Sequence, residues 1–195
     1  EATRINSLEA RRRKYGGHRV HTAHGDAFSL SLTTNTDHPG VSILYLNPPY
    51  DHDKDHGRLE EVWLIRFTSA LRAGGVLIFV VPYYALKASA ATLAKSYEDI
   101  QVCQFPPEHF AAFKQVILFA RRRQTDLLFA DPAVEAAVLT NAESVETLTP
   151  LANVRPYTIA AVKSSGIFAS DFRTQAVDPI EMRAAFKPWP GMVKR

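Results

Sequence analysis

The chain has 195 residues, of which 46% are hydrophobic and 22% are charged. This length and composition predict one domain with room for an appendage and exclude disordered, collagen-like and fibrous proteins. The one cysteine, Cys103, excludes an internal disulfide and a cysteine-based zinc finger, and the net charge of +3 permits a polyanionic partner without requiring one.

The first half of the sequence predicts helices and strands in alternation. Apolar spacing predicts a helix over residues 2–15, and a weak alternation predicts a short strand over Arg19–Ala23. The apolar run Val41–Leu46 is typical of a strand in a parallel sheet, where both faces are covered. Helical spacing then predicts a helix from Leu59 to Leu71, which Gly74-Gly75 closes.

The second half continues this alternation as far as residue 105. Val76–Val81 predicts a central buried strand, and the alanine-rich stretch Ala85–Tyr97 predicts a helix. Asp99–Phe105 and Gln115–Ala120 predict two further strands. Because too few residues separate these two strands for a parallel crossover, we expect them to form an antiparallel hairpin.

The predicted architecture is an α/β sheet, mostly parallel with one antiparallel strand, over residues 1–143. It closes with a helix from Pro132 to about Asn141, for which Asp131 is the N-terminal cap. Prolines interrupt the pattern over residues 144–195, which we interpret as a C-terminal extension. Within this extension, Tyr157–Val162 has the composition of a strand.

The motif that carries chemistry is Asn47-Pro48-Pro49-Tyr50, which directly follows the strand Val41–Leu46. Ligands of open α/β sheets bind at this carboxyl end of the strands. The prolines leave carbonyl acceptors, Asn47 adds a side-chain oxygen, and Tyr50 offers an aromatic face. Two acceptors beside a ring suit the exocyclic amino group of a nucleobase and leave its lone pair to attack an electrophilic methyl group. An ordinary proline turn is the alternative interpretation.

Asn-Pro-Pro-Tyr at a strand end resembles motif IV of the class I S-adenosylmethionine-dependent amino-methyltransferases, which include the N6-adenine DNA methyltransferases. Gly25-Asp26-Ala27 resembles the acidic cofactor motif of that family, and Ala73-Gly74-Gly75 resembles the turn into its fifth strand. The segments 47–60 and 113–116 are similar to an uncharacterised bacterial family of adenine-methyltransferase-like proteins. The resemblance covers roughly residues 1–123.

On the substrate side, the resemblance implies methyl transfer to an exocyclic amino group, above all N6 of adenine in DNA. Asn47 and the carbonyl of Pro48 would hold the amine, and Pro49 would adjoin the base. Tyr50 would stack on one face of the base, and Phe110, on the loop where the family carries an aromatic lid, would stack on the other. A phenylalanine that only closes the core is the alternative interpretation of Phe110.

On the cofactor side, the resemblance implies that Glu1 grips the ribose hydroxyls of S-adenosylmethionine. Asp26 would accept from the adenine amino group of the cofactor, with Ala27 and Asn47 beside it. The glycine-rich motif I of the family is missing, and no Gly-x-Gly occurs in the chain. We therefore expect a Rossmann-like methyltransferase sheet without its first strand and glycine-rich loop. We expect such a chain to be a fragment of a longer protein, with a partner chain or another segment completing its sheet. The alternative is a chain that lacks part of its cofactor site and is inactive by itself.

Two basic clusters, Arg11–Lys14 and Arg121–Arg123, are candidates for phosphate contacts with a nucleic acid, DNA before RNA. A solvated helix face and a strand end are the plainer interpretation of the two clusters. Because the tetrapeptide recognises an amine or amide and not a polymer, an RNA base or a protein glutamine is an alternative substrate. A non-catalytic nucleic-acid-binding or assembly module is the alternative from another class.

Neither a metal site nor a membrane segment is predicted. The two histidines of His52–His56 would share a face only on a helix, and the adjoining Gly57 favours a loop, so we expect no metal there. No apolar run reaches the roughly 18 residues of a membrane span, and residue 1 begins a polar stretch without signal-peptide features. These features predict a cytoplasmic protein without a membrane partner.

Overall fold

A computed structural model describes residues 27–34, 40–54, 57–105, 110, 114–145, 148–160 and 170–174. Their helices and strands are, in chain order, β1 (Leu30–Thr34), β2 (Val41–Leu46), β3 (His52–Asp53), β4 (Gly57–Arg58), α1 (Leu59–Thr68), β5 (Leu71–Pro82), α2 (Leu86–Ser96), β6 (Tyr97–Gln104), β7 (Gln115–Arg122), α3 (Pro132–Glu143), β8 (Thr149–Pro150) and β9 (Ser170–Thr174). None of the helices in these ranges is long and apolar enough to cross a membrane.

The chain divides into two compact units, one of residues 34–168 and the other of residues 1–33 together with 169–195. In the smaller unit, β1 follows a 3-10 turn at Ala27–Ser29 and pairs with β9 in a two-stranded sheet. The larger unit contains the other strands and the helices. The expected division of the chain at residue 143 stays a prediction.

Five strands of the larger unit form one sheet in the order β2-β5-β7-β6-β8. β2 is parallel to β5 and β6 is parallel to β8, whereas β7 runs antiparallel to both of its neighbours, β5 and β6. Four strands therefore point one way and one is reversed, which confirms the mostly parallel sheet and the antiparallel β6–β7 pair. The insertion of β7 between β5 and β6 was not predicted.

Most of the predicted elements of the larger unit are present with small changes at their ends. β2 has the predicted bounds, and β6 and β7 differ from theirs by at most two residues at either end. α3 begins at Pro132 as predicted and continues to Glu143. Its cap is also confirmed, because Asp131 Oδ1 accepts from the backbone N–H groups of Ala133 at 3.0 Å and Val134 at 3.2 Å.

The prediction around Gly74-Gly75 was wrong. α1 ends at Thr68, and Leu71, which was expected to end this helix, begins β5. β5 pairs with β2 at Leu71 and again from Val76, so the two glycines lie in an irregularity within a strand. Gly74 has a φ of 72°, and a Cβ on Gly75 would lie 2.9 Å from the backbone carbonyl oxygen of Arg72. Glycine is therefore required here for a bulge and not for the end of a helix.

One other described stretch also differs from the prediction. Residues 157–160, expected to begin a strand, have no regular secondary structure. The helix expected over 2–15 and the strand expected over Arg19–Ala23 lie outside the described residues.

The core of the larger unit lies between the sheet and the helices. It contains Leu64 of α1, Leu93 of α2, Val138 of α3 and the strand residues Phe79 and Leu118, all of which are fully buried or nearly so. Because side chains alternate along a strand, Phe119 of β7 faces away from this helical layer. Residues 154–160 cross that second face, where the Tyr157 ring stacks on Phe119.

Candidate functional site

The ends of three strands meet at one edge of the five-stranded sheet. Asn47 follows the last residue of β2, and Tyr83 follows the last residue of β5. Gln115 begins β7, and since β7 is reversed, this residue lies beside Pro82 at the end of β5. The structure therefore confirms that the Asn47–Tyr50 motif follows the carboxyl end of β2. Ligands of open α/β sheets bind at this edge, and that a ligand binds at this motif stays a prediction.

The four residues of the motif form a corner that is partly anchored and partly open. Pro48 is buried, whereas Asn47 and Pro49 are exposed. Tyr50 is 37% exposed. The corner is therefore fixed to the protein through Pro48, while the amide of Asn47 and part of the Tyr50 ring are open to a ligand.

The side chains of Asn47, Tyr50 and Gln115 form a chain of hydrogen bonds. Tyr50 Oη donates to Asn47 Oδ1 at 2.7 Å and accepts from Gln115 Nε2 at 2.6 Å. The carbonyl oxygen of Val80 lies 3.5 Å from the same hydroxyl group. Because Gln115 supplies a proton to Tyr50 Oη, the hydroxyl proton of Tyr50 points to Asn47.

This bond changes how Asn47 and Tyr50 work together. The sequence predicts them as two separate contacts of a base, whereas the structure joins them through Tyr50 Oη and Asn47 Oδ1. An amide oxygen has two lone pairs, so the bond from Tyr50 leaves one of them for an N–H group of a ligand. Tyr50 thus orients the Asn47 oxygen in addition to exposing its ring.

The hydroxyl of Tyr50 keeps its proton at neutral pH. Burial raises the pKa of Tyr50 above its ordinary value, and the charge of the nearby Glu60 acts in the same direction. The hydrogen bond from Gln115 opposes this rise because it stabilises the phenolate. Tyr50 is therefore a hydrogen-bond donor to Asn47 throughout the physiological range.

A buried ion pair lies close to the corner. Glu60, the second residue of α1, is fully buried, and Arg58 donates to its two oxygens from Nε at 3.1 Å and from Nη2 at 2.5 Å. The Arg58 guanidinium lies 5.0 Å from the ring centroid of Tyr84. The bonds to Glu60 raise the pKa of Arg58. Sequence reasoning missed this group, because an acidic residue in the first turn of a helix is normally solvated.

Tyr83 and Phe110 line part of a cavity of about 280 Å³ at the same edge. The ring centroids of Tyr83 and Phe110 are 6.4 Å apart. Lys114 connects the two residues, since its N–H donates to the carbonyl oxygen of Phe110 at 2.7 Å and its own carbonyl accepts from Tyr83 N–H at 3.0 Å. Phe110 thus packs beside Tyr83, and its expected place over a base opposite Tyr50 stays a prediction.

The residues expected to hold a cofactor are described only in part. Glu1 and Asp26 lie outside the described residues. Ala27 begins the 3-10 turn of the smaller unit. Asn47 lies in the larger unit, exposed at the end of β2.

The arginines of the cluster 121–123 all have acidic partners within the chain: Arg121 pairs with Asp99 at 3.9 Å, Arg122 with Asp126 at 2.5 Å and Arg123 with Glu98 at 3.5 Å. Arg121 and Arg122 are the last residues of the reversed strand β7, so the cluster lies at the edge of the sheet opposite the Asn47 corner. Both observations favour the interpretation as a strand end over phosphate contacts. The cluster Arg11–Lys14 lies outside the described residues.

The segment expected to be a loop beside the motif is a short hairpin. β3 pairs with β4 in antiparallel orientation. Leu59 N–H donates to the carbonyl oxygen of Asp51 at 3.1 Å and so joins the two ends of the hairpin. In the described part of the chain, no group of three or more histidine, cysteine or acidic residues is arranged to hold a metal. Asp55 and His56 lie outside that part.

Comparison with known proteins places these features in a family. Residues 4–160 match the model of a family described as "Uncharacterised methyltransferase family (DUF6094)". No match was found among curated proteins or among solved structures. The matched residues include the Asn47 corner, the five-stranded sheet and the segment 154–160 that crosses it. The chain therefore belongs to this uncharacterised methyltransferase family, and the enzyme class predicted from its sequence is confirmed.

Proposed function

We propose that this methyltransferase transfers a methyl group from S-adenosylmethionine to an exocyclic amino group of a nucleobase, with N6 of adenine in DNA as the favoured acceptor. The observation that carries the proposal is the exposed Asn47 oxygen, held by Tyr50 at 2.7 Å where β2 ends. Membership of the family supports methyl transfer. The donor and acceptor set of the corner supports an amine as the group that receives the methyl.

The chemistry of an exocyclic amine explains why this corner suits it. Such an amine has two N–H donors and a nitrogen lone pair that is partly delocalised into the ring. Asn47 Oδ1 accepts one N–H, and the carbonyl of Pro48 accepts the other. With both hydrogens held, the lone pair points out of the ring plane and is free to accept a methyl group, for which a bound cofactor would supply the electrophilic carbon and the sulfide leaving group. The proton that the nitrogen then loses passes to water.

Orientation supplies most of the expected rate enhancement. When bound, the cofactor supplies an electrophilic methyl group on a sulfonium leaving group, so the chain needs no metal and no covalent intermediate of its own. Holding the reacting atoms in line is worth about 7–11 kcal/mol in favourable cases. The partly anchored corner, with Pro48 buried and Asn47 fixed by Tyr50, is suited to that task.

An aromatic surface next to the amine site supports a planar acceptor. Tyr50 is 37% exposed, and Tyr84, which stacks on Arg58, is 47% exposed. Extruding a base from a duplex costs a few kcal/mol, and each stacking ring returns about 1–3 kcal/mol. One ring therefore offsets part of this cost, and we assign to Phe110 the role of a second ring that offsets the rest.

At the corner, the described residues account for the methyl end of the cofactor and not for its adenosine. Asn47 is exposed at the strand end, where an acceptor amine and the methyl of the cofactor must come together. The adenosine contacts that we assign to Glu1, Asp26 and Ala27 depend on the family resemblance alone. No step of the proposed reaction depends on these three residues.

Cofactor binding and methyl transfer can be measured separately. A saturating ligand stabilises the fold, by about 2.7 kcal/mol at one hundred times its Kd, so S-adenosylhomocysteine should raise the Tm. Radiolabelled S-adenosylmethionine should then label duplex DNA at adenine N6. In Asn47→Ala we expect transfer to be abolished and the Tm shift to be retained, whereas the control Asn153→Ala, at an exposed position, should change neither.

Three results would contradict parts of this proposal. The absence of a Tm shift would favour a non-catalytic nucleic-acid-binding or assembly module. Label in RNA or in a glutamine peptide, but not in DNA, would replace the proposed polymer. Equal loss of the Tm shift and of transfer in Asn47→Ala would refute the role of Asn47 as a substrate contact.

A further inference from the structure

Gln115 is a polar residue beside the corner, and the proposed reaction assigns it no role. It begins β7 opposite Pro82, and its side chain is half-buried. Its amide nitrogen lies 2.6 Å from Tyr50 Oη, across 65 residues of sequence. The residue thus joins β7 to the corner that follows β2.

We propose that Gln115 is a positioning residue that fixes the direction of the hydrogen-bond chain through Tyr50 and so turns the Asn47 oxygen toward the substrate amine. This inference rests on the proposed function. It assigns to Gln115 no contact with substrate or cofactor. Its effect is transmitted by Tyr50, which contacts both other residues.

The direction follows from the chemistry of the three groups. The Gln115 nitrogen only donates, so Tyr50 Oη accepts from it and has one proton to give. Asn47 Oδ1 at 2.7 Å and the Val80 carbonyl at 3.5 Å compete for that proton, and the shorter distance favours Asn47. A hydroxyl that accepts a hydrogen bond also donates a stronger one, because consecutive bonds polarise each other.

Reversing the polarity of residue 115 should reverse the chain. In Gln115→Glu the new carboxylate accepts the hydrogen bond that Tyr50 Oη donates, so the lone pairs of the Tyr50 oxygen then face Asn47 as acceptors. Asn47 must rotate its amide to present Nδ2 instead of Oδ1, which removes the acceptor that the substrate needs. In Gln115→Leu nothing fixes the direction of the hydrogen bond between Tyr50 and Asn47. The Asn47 oxygen is then available to the substrate for part of the time.

The pKa of Tyr50 gives a readout that does not depend on activity. Burial raises this pKa and the bond from Gln115 lowers it, so removing the bond should raise it further. We suggest titrating the full chain with ring-labelled tyrosine by NMR, with the Tyr50 resonance assigned by its loss in Tyr50→Phe. Gln124, exposed beyond the far end of β7, offers the matched control Gln124→Glu.

We expect the Tyr50 pKa to rise in Gln115→Leu, to rise more in Gln115→Glu and to stay unchanged in Gln124→Glu. We expect kcat to fall about tenfold in Gln115→Leu and about a hundredfold in Gln115→Glu, the scale of loss that follows misplacement of a reacting group. The Tm shift by S-adenosylhomocysteine should not change in either variant.

An unchanged Tyr50 pKa in both variants would refute the contact. A rise in pKa with equal loss of kcat in the two variants would refute the directional role. If the wild-type chain transfers no methyl group, the proposed function fails, and the pKa values still decide whether Gln115 donates to Tyr50.

Discussion

Arg58 and Glu60 form an ion pair in which the carboxylate is fully buried while 27% of the arginine side chain is exposed. Leaving a buried carboxylate without its partner lowers the free energy of unfolding by more than the intact ion pair contributes to it. We therefore expect Arg58→Met to lower the free energy of unfolding by about 3 kcal/mol. The double variant Arg58→Met/Glu60→Leu should recover most of that loss, because it leaves no charge buried.

Urea unfolding of the three proteins measures this difference, and Lys87→Met, an exposed position on α2, is the control. If Arg58→Met were no less stable than Lys87→Met, the pair would have no structural role. Because Glu60 lies close enough to Tyr50 to raise its pKa, the double variant should also lower the pKa of Tyr50.

Part of this site could be predicted from the sequence, and the missing part has one physical cause. Asn47 and Tyr50 were placed correctly at a strand end, since a continuous apolar run followed by a proline motif is a local signal. Gln115 could not be found, because its partner lies 65 residues away and no spacing rule spans that distance. Glu60 was missed because burial of a charge depends on tertiary contacts.

The fold was predictable to the same extent. Strand alternation and the short β6–β7 connection gave the single reversed strand, but the position of β7 between β5 and β6 is set by long-range pairing. Gly74 and Gly75 were interpreted as the end of a helix, which glycine pairs commonly mark. In the structure, a Cβ on Gly75 would lie 3.0 Å from the carbonyl oxygen of Ser42 on the neighbouring strand, and no local sequence signal shows that long-range contact.

Because Tyr97 is buried, we expect the protein to lose stability at alkaline pH. Its side chain is fully buried, its hydroxyl lies 2.9 Å from Thr68 Oγ1, and burial raises its pKa to about 12. Ionisation is thus harder in the folded chain than in the unfolded chain, where the pKa is about 10. The stabilisation is complete below about pH 10 and is lost as the pH approaches 12, by about 2–3 kcal/mol in total.

Measuring the free energy of unfolding from about pH 8 to about pH 12, the range in which tyrosine titrates, tests this expectation. Tyr97→Phe should be less stable by about 1 kcal/mol at neutral pH, for the lost bond to Thr68, and should show a shallower alkaline decline. The matched control is Tyr45→Phe, at a position that is 62% exposed, which should follow the wild-type curve. An identical decline in Tyr97→Phe and wild type would assign the effect to other groups.

Contacts of Tyr157 hold the segment 154–160 on the sheet. Its ring stacks on Phe119 with centroids 6.4 Å apart, and its hydroxyl donates to the carbonyl oxygens of Asp99 and Phe119. Asp99, with a φ of 51° at an irregularity of β6, also pairs with Arg155 at 2.8 Å. A segment that was expected to form a strand is thus docked through side chains.

We expect Tyr157→Ala to release this segment and to lower the free energy of unfolding by about 2 kcal/mol, somewhat less than for a fully buried aromatic residue. Limited proteolysis should then cut within 154–160 before the sheet unfolds. Tyr157→Phe, which keeps the ring, should be protected nearly as well as the wild type. Equal protection of Tyr157→Ala and wild type would show that other contacts hold the segment.

Tyr50 has two assigned roles that two substitutions separate. Tyr50→Phe keeps the ring but removes the donor to Asn47, so we expect kcat to fall about tenfold while binding of a substrate oligonucleotide changes little. Tyr50→Ala also removes stacking worth about 1–3 kcal/mol, so it should weaken oligonucleotide binding as well. Because burial raises the pKa of Tyr50, the wild-type rate should lose this donor only above the ordinary tyrosine pKa of about 10. Tyr50→Phe has no such donor to lose, so an alkaline decline of equal size in both proteins would remove the hydroxyl from the mechanism and leave only the ring.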